Sequence, residues 1–302
     1  MTPPVIFLIF NRPEVTAQTF DAIRRAQPAR LFVVADGARI GRPKEAALCE
    51  QARRITEHVD WPCVVLRNYS EDNLGCGKRV SSGISWAFES TEEAIILEDD
   101  CLVDPSFFQF CALMLDLYRD DPKVMMISAG NFLGDQRFSD GSYYFSRYAH
   151  IWGWATWRRA WKNYDFTMRD WPHLRRRWLS RQSMKWITSL YWRKMFDAVA
   201  VGKLDTWDYQ WQFAIWKHLG TSIVPNVNMV KNIGFGADAT HTISSSGTGL
   251  SLAQMQPMTF PLLHPAEVAP DEAADRFEES KLFPTPVAKA RLILSVLLRG
   301  LR

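Results

Sequence analysis

Four short apolar runs, residues 5–10, 31–35, 63–66 and 94–97, are each followed within a few residues by polar or charged side chains. Runs this short and this uniformly apolar suit strands buried on both faces better than strands with one wet side. Helical patterns lie between and after them. Pro13 suits the first turn of a helix carrying Val15, Ala22, Ile23 and Ala26 on one side, and Val80, Ile84 and Phe88 recur at helical spacing behind Gly75-Cys76-Gly77. Asp104-Pro105 has the form of an N-cap followed by proline at the first helical position. Phe107, Phe108, Cys111, Leu115 and Tyr118 then make another amphipathic helix, which Pro122 stops. Alternation of strand and helix predicts an α/β fold with a doubly wound, mostly parallel sheet. Ligands of such sheets bind beyond the carboxyl ends of the strands.

Those ends carry Asn11-Arg12, Asp36-Gly37, Asn68 and Glu98-Asp99-Asp100. Three consecutive acids directly after an apolar strand repel one another unless positive charge offsets them, and a hard divalent cation, Mn2+ or Mg2+, is a common solution. Such ions often take one or two carboxylates and complete their shell with water and phosphate oxygens. The alternative is a solvated acidic loop ahead of the helix at Pro105. Asp36, followed by a glycine that permits close backbone approach, could accept hydrogen bonds from a pyrimidine base or a ribose, or could belong to a plain turn. Arg12 could pair with phosphate. Lys78 and Arg79, opening a helix after two glycines, could form a phosphate-side cluster.

Composition narrows the field. With 302 residues, 47% of them hydrophobic, the chain can bury a full core in one large domain or in a domain with an appendage. A net charge of +3 from 36 basic and 33 acidic residues argues against nucleic-acid binding by bulk electrostatics. The first apolar run is too short for a signal peptide core or a membrane span, so an export signal is not expected. Five cysteines, Cys49, Cys63, Cys76, Cys101 and Cys111, show neither CxxC nor Cys/His ligand spacing. Free thiols in a reducing cytoplasm fit them better than a disulfide framework or a zinc site.

From about residue 146 to 216 the chain turns tryptophan-rich and is expected to be helical, most of its tryptophans serving the core. Trp152-Gly153-Trp154 is singled out because aromatic rings can stack on the apolar face of a sugar. Residues 244–249 are small and polar and are expected to form a mobile loop; residues 257–280 alternate proline with acids and are expected to be irregular. In the tail, Leu292, Ile293, Val296, Leu297 and Leu301 oppose the basic residues Lys289, Arg291, Arg299 and Arg302, predicting a basic amphipathic helix over 287–302. Such a helix packs on the body of the domain or attaches peripherally to an anionic inner membrane.

The stretch Ala94-Ile-Ile-Leu-Glu-Asp-Asp-Cys-Leu-Val-Asp-Pro-Ser-Phe-Phe-Gln-Phe110 resembles the acidic segment of inverting glycosyltransferases of the GT-A fold, family 2-like, and among them the N-acetylglucosaminyltransferase that starts complex N-glycan branches. Ile9-Phe10-Asn11-Arg12, Val33-Val-Ala-Asp-Gly37, the helix from Lys78 to Phe88, Ile127-Ser-Ala-Gly-Asn131, Ile151-Trp-Gly-Trp154, Trp207-Asp208 and Asn232-Ile-Gly-Phe-Gly236 with His241 look like counterparts in the same order. The resemblance spans roughly residues 5–241 and implies a nucleotide-diphospho-sugar transferase fold. Residues 1–130 would be the nucleotide-sugar-binding half, 131–243 the acceptor and catalytic half of the same domain, and 244–302 an irregular C-terminal extension.

Position by position, the resemblance implies that Asp100 ligates the metal, with Asp99 and Glu98 near ribose, metal-bound water and donor sugar. Asp36 would hold the base, and Asn11 and Arg12 the phosphate or sugar. Asp208 looks like the general base that takes the proton from the acceptor hydroxyl, with Asp205 as the alternative, and the alternative for Asp208 itself is a helix-cap acid. His241, in a glycine-bearing loop, would ligate the metal or donate to phosphate; otherwise it is structural. The expected donor is a UDP-sugar carrying GlcNAc or another hexose, and the expected acceptor a hydroxyl of a bacterial-type glycan or lipid-linked glycan.

Three other readings compete. A nucleotidyltransferase needs a glycine-rich basic loop after the first strand, where this chain has Asn11-Arg12-Pro13-Glu14. A non-catalytic nucleotide-sugar binder would keep the acids for binding only. A glycoside hydrolase would leave the strand-end triplet and its basic neighbours without a purpose.

Overall fold

The computed structural model describes residues 1–134, 136–175, 184–234 and 254–282. Its first half alternates strand and helix: β1 (Val5–Ile9), α1 (Pro13–Ala26), β2 (Arg30–Ala35), α2 (Pro43–Ile55), β3 (Val64–Tyr69), α3 (Cys76–Ala87) and β4 (Glu93–Glu98). Then come β5 (Cys101–Val103), α4 (Ser106–Leu117), β6 (Val124–Ser128), β7 (Tyr143–Ser146), β8 (Trp154–Trp157), α5 (Arg158–Trp161) and α6 (Trp171–Leu174). The chain continues through α7 (Trp186–Ala200), α8 (Asp208–Lys217), β9 (Thr221–Pro225), β10 (Val230–Asn232) and α9 (Glu272–Leu282).

Among the described residues an eight-stranded sheet runs in the order β3-β2-β1-β4-β8-β6-β9-β7, and β5 and β10 form a separate antiparallel ribbon. β1 to β4 are mutually parallel, β6 and β9 share their direction, and β8 and β7 run against them. This is the α/β, mostly parallel sheet that the apolar runs predict. Every residue of β1 is buried. Val5, Phe7 and Ile9 join one apolar layer with Phe20, Ile23 and Phe107, while Ile6 and Leu8 join the other with Val80, Ile84 and Trp154. Such period-two division is what a strand sandwiched between two helical layers requires.

Where the strand order reverses fixes where a ligand can sit. The chain moves outward from β1 to β2 and β3, then returns to lay β4 on the other flank of β1, with Leu8 opposite Glu98. Side-by-side strands whose connections leave in opposite directions open a crevice at their carboxyl ends. β1 and β4 are such a pair.

The second half departs from the helical expectation. Residues 154–157, inside the tryptophan-rich stretch, form the strand β8, which pairs with both β4 and β6. Trp157, Trp161, Trp171, Trp207, Trp211 and Trp216 are buried, in line with a core role, and Trp186 is exposed. The extension is not irregular throughout, because residues 272–282 form α9. Its inner face is acidic: Asp275 accepts from Ser146 Oγ at 2.6 Å and Arg147 Nε at 2.7 Å. Glu279 accepts from Tyr148 O–H at 2.9 Å, and Glu278 lies 3.2 Å from His150 Nε2. Acids on the buried side erase the hydrophobic period by which an amphipathic helix is recognised. Just before α9, Asp271 N–H donates to Phe145 O at 2.7 Å and so covers the edge of β7, where an unpaired strand would otherwise invite association. No helix among the described residues is long and apolar enough to cross a membrane. Residues 244–249, His241 and the basic tail 287–302 lie outside the described residues.

Candidate active site

Beyond the β1/β4 crevice the chain brings Arg12, Glu98, Asp99 and Asp100 together. Arg12 caps the start of α1, its carbonyl accepting from Thr16 N–H at 3.0 Å and Thr16 Oγ1 at 2.7 Å. Its guanidinium pairs with Asp99 through Nη2 and reaches Asp100 Oδ2 through Nη1 at 3.0 Å. Burial would lower the Arg12 pKa, but the charges of Asp99 and Asp100 outweigh it and raise it above its ordinary value. The arginine expected to meet phosphate is thus already engaged with two of the acids.

Asp99 is 3% exposed and is pushed up to about 6 by burial, against the pull of Arg12. Its Oδ2 has no hydrogen-bond partner. Glu98 is pushed further, to about 8, first by burial and then by the charges of Asp100 and Asp99, with Asp208 adding to the effect. The ribbon of β5 and β10 carries Ile233 and Gly234 over this edge. Ile233 N–H donates to Asp100 O at 2.9 Å, and a Cβ on Gly234 would fall 2.3 Å from Asp100 Oδ2 and 2.5 Å from Arg12 Nη1. Only a residue without a side chain fits there.

The donor set, carboxylate oxygens with one buried oxygen unpartnered, is of the kind a hard divalent ion prefers. Among the described residues no group of three or more His, Cys, Asp or Glu side chains is arranged to hold an ion by itself.

Asp36, at the tip of β2, is 6% exposed. Its Oδ1 accepts from Gly37 N–H at 3.0 Å and Leu74 N–H at 2.9 Å, and its Oδ2 from Gly75 N–H and Asn73 Nδ2, both at 3.1 Å. Burial raises its pKa, opposed by those backbone donors. A carboxylate with four donors is the fastening of the loop from residue 73 to 75. Arg79 is likewise committed: it is 7% exposed, and its Nη2 donates to Asn68 Oδ1 at 2.8 Å. Lys78 is exposed, and Asn11 Nδ2 lies 3.4 Å from Glu45 Oε2.

Asp208 opens α8, half-buried, and accepts from Thr206 Oγ1. Burial raises the pKa of Glu98, Cys76, Tyr164, Tyr191 and Tyr209, and the charge of Asp208 adds a smaller push in the same direction to each. Tyr191 and Tyr209 share a hydrogen bond of 2.8 Å. These three tyrosines and Cys76 are site neighbours that sequence pattern does not single out, because they come from four separated segments. Asp205, the alternative base, has both carboxylate oxygens on backbone donors, Cys76 N–H at 3.0 Å and Gly77 N–H at 2.9 Å. That makes it the N-terminal cap of α3.

Of the aromatic pair considered for a sugar, Trp154 is 1% exposed, its ring stacked on Trp207 at 5.5 Å and 17°. Removing such a ring costs about 3–5 kcal/mol of packing, so it belongs to the core and offers no face to a ligand. Trp152 is partly exposed and sits 5.6 Å from Phe132. Gly153, at φ +67°, places its Cα where a side chain would press on Val103 and Ala129.

No family model and no curated protein matches the sequence. Solved structures with some likeness include residues 1–349 of TarS from S. aureus, 14% identical, with 52% of this chain and 47% of that one covered and a TM-score of 0.35. The glycosyltransferase GlyE of Streptococcus pneumoniae TIGR4 is 8% identical over 74% of this chain and 45% of its own, TM-score 0.33. The 4-diphosphocytidyl-2C-methyl-D-erythritol synthase of Anaerococcus prevotii DSM 20548 is 10% identical over 65% and 84%, TM-score 0.31. The match thus spans about half the length of TarS 1–349 and of the GlyE chain, and likenesses this distant assign no role to any residue here.

Proposed function

We propose that this chain is a metal-dependent inverting glycosyltransferase of the GT-A type, transferring a hexose or N-acetylhexosamine from a UDP-sugar to a hydroxyl of a glycan or lipid-linked glycan. The observation that carries this reading is the pairing of an acid edge at the β1/β4 switch point with a separate acid, Asp208, near enough across the crevice to perturb Glu98. One side suits a diphosphate leaving group, the other an attacking hydroxyl.

In this reading Asp208 accepts the acceptor's proton as its oxygen attacks the anomeric carbon, and the bond from that carbon to the diphosphate oxygen breaks in the same displacement. Arg12 places positive charge beside the leaving oxygens while keeping Asp99 and Asp100 from repelling them. Asp100 and the unpartnered Asp99 Oδ2 would hold Mn2+ or Mg2+, which when bound neutralises the diphosphate. The loop fastened by Asp36 walls the nucleoside side, and Trp152 is the aromatic ring left to meet a sugar. His241 as a further ligand, and residues 287–302 as a contact to the inner face of a membrane, belong to the same proposal.

Incubation with a panel of labelled nucleotide sugars and manganese, scoring acceptor transfer and slow donor hydrolysis, tests it. UDP-sugars should turn over, and Asp208→Asn should bind donor without transferring it. Binding by the wild type with neither transfer nor hydrolysis would identify a non-catalytic binder, and nucleotide-sugar formation from a sugar phosphate and a nucleoside triphosphate would identify a nucleotidyltransferase.

A further inference from the structure

We infer that Asp205 is a positioning residue, whose seat on the first amides of α3 sets where Asp208 stands across the crevice. The inference rests on the transferase reading of Asp208. It starts from sterics: a Cβ on Gly75 would lie 2.5 Å from Asp205 Oδ2, and one on Gly77 would lie 2.6 Å from Thr206 O and 2.8 Å from Asp205 Oδ1. Gly75 also has φ +81°, which a residue with a side chain rarely adopts. Two glycines therefore let a segment more than a hundred residues away in sequence close onto the helix start, and the carboxylate bonds both amides it reaches, at 3.0 and 2.9 Å.

The segment that Asp205 begins has three fastenings. Asp205 sits on α3, Thr206 donates to Asp208, and Trp207 is buried against Trp154 of β8, the strand beside β4. The start of α3 is itself held from the opposite side, because Asp36 accepts the amides of Leu74 and Gly75. A continuous strut thus runs from the tip of β2 through residues 74–77 and Asp205 to Asp208. It ties the candidate base to the sheet that carries Glu98 and Asp100. Asp205 also occupies the place at the helix N-terminus where an anion would bind, so the start of α3 is closed to phosphate.

A base displaced by about 1 Å can lose on the order of a hundredfold in rate while the donor still binds. Asp205→Ala should therefore lower kcat roughly ten- to a hundredfold, leave the donor KM near wild type, and move the acid limb of the kcat pH profile, since the surroundings of Asp208 change. Asp205→Asn, which keeps one accepting oxygen, should fall between the two. Gly77→Ala should reproduce the kcat loss with every carboxylate intact, because its Cβ meets the backbone of Thr206. Hydrogen exchange at the Cys76 and Gly77 amides should quicken in Asp205→Ala and not in Asp208→Asn.

A purely structural cap would lower stability with kcat per folded molecule and pH profile unchanged, and that result overturns the inference. So do wild-type exchange rates at Cys76 and Gly77 in Asp205→Ala. An active wild type that loses transfer in Asp208→Asn but not in Asp205→Ala or Gly77→Ala would remove the positioning role alone. A wild type that turns over no nucleotide sugar would remove the transferase reading and this inference with it.

Discussion

Arg12 Nη1 stands 3.0 Å from Asp100 Oδ2, so the acid expected to take a metal ion is already neutralised in part by a side chain of the same fold. The other arm of the guanidinium holds Asp99, whose side chain is 4% exposed. Crowded carboxylates need an opposing charge, and here the chain supplies the first part of it from the end of β1.

Arg12→Ala leaves Asp99 buried without a counter-charge. Breaking a buried pair costs about 3–5 kcal/mol, and the lower figure applies because a fifth of the Arg12 side chain stays in solvent. Urea unfolding should show a loss of about 3 kcal/mol, and Arg12→Ala/Asp99→Asn should recover part of it. A double variant no more stable than the single one would show that the pair is not what holds this edge.

Asp208→Asn preserves shape and removes the proton acceptor. Transfer should fall by about 10²- to 10⁴-fold, the usual span for loss of a general base, with donor affinity unchanged. Wild-type rates in this variant would move the base elsewhere. Both carboxylate oxygens of Asp205 are already on amides.

Asp36→Ala leaves the amides of Gly37, Leu74 and Gly75 without their acceptor. A buried amide so abandoned costs about 1–3 kcal/mol where water cannot reach it. Thermal unfolding should show a clear loss of stability, larger than for Asp36→Asn, together with weaker donor binding through the loosened loop. Unchanged stability would mean that the loop is fastened by other contacts.

Asp275 provides a pH test away from the crevice. Burial outweighs Ser146 and Arg147 and holds it at about 6, against an ordinary value of 3.8. The folded chain thus takes up this proton at a higher pH than the unfolded chain. Stability owed to the group rises as pH falls from about 6 towards 4 and is level above that window. The Tm difference between wild type and Asp275→Asn should widen in favour of wild type across the same interval. A difference that does not vary with pH would show that Asp275 keeps an ordinary carboxylate pKa.

Strands buried on both faces announce themselves, and β1, β2 and β4 were legible as apolar runs with the acid edge at the end of the last. β8 was not. Four residues between two neighbours carry no period, and Trp154 and Trp157 suit a helix as well as a strand. α9 escaped because Asp275, Glu278 and Glu279 face inward, where pattern reading expects apolar side chains. At the site, residue types were readable and their commitments were not. Asp36, Arg79 and Asp205 look like ligand-binding groups in sequence, but the amides and carbonyls they satisfy lie in segments that only the fold brings near. Gly234 is the reverse case: its use appears only when Asp100 and Arg12 are found beneath it.

The most direct test is titration calorimetry of UDP-sugars with and without manganese, on the wild type and on Asp100→Ala. Donor binding by the wild type should strengthen markedly with the ion, and Asp100→Ala should lose that ion dependence. Wild-type binding that is indifferent to the ion, or an Asp100→Ala protein that responds to it as the wild type does, would contradict a metal-bridged diphosphate at this edge.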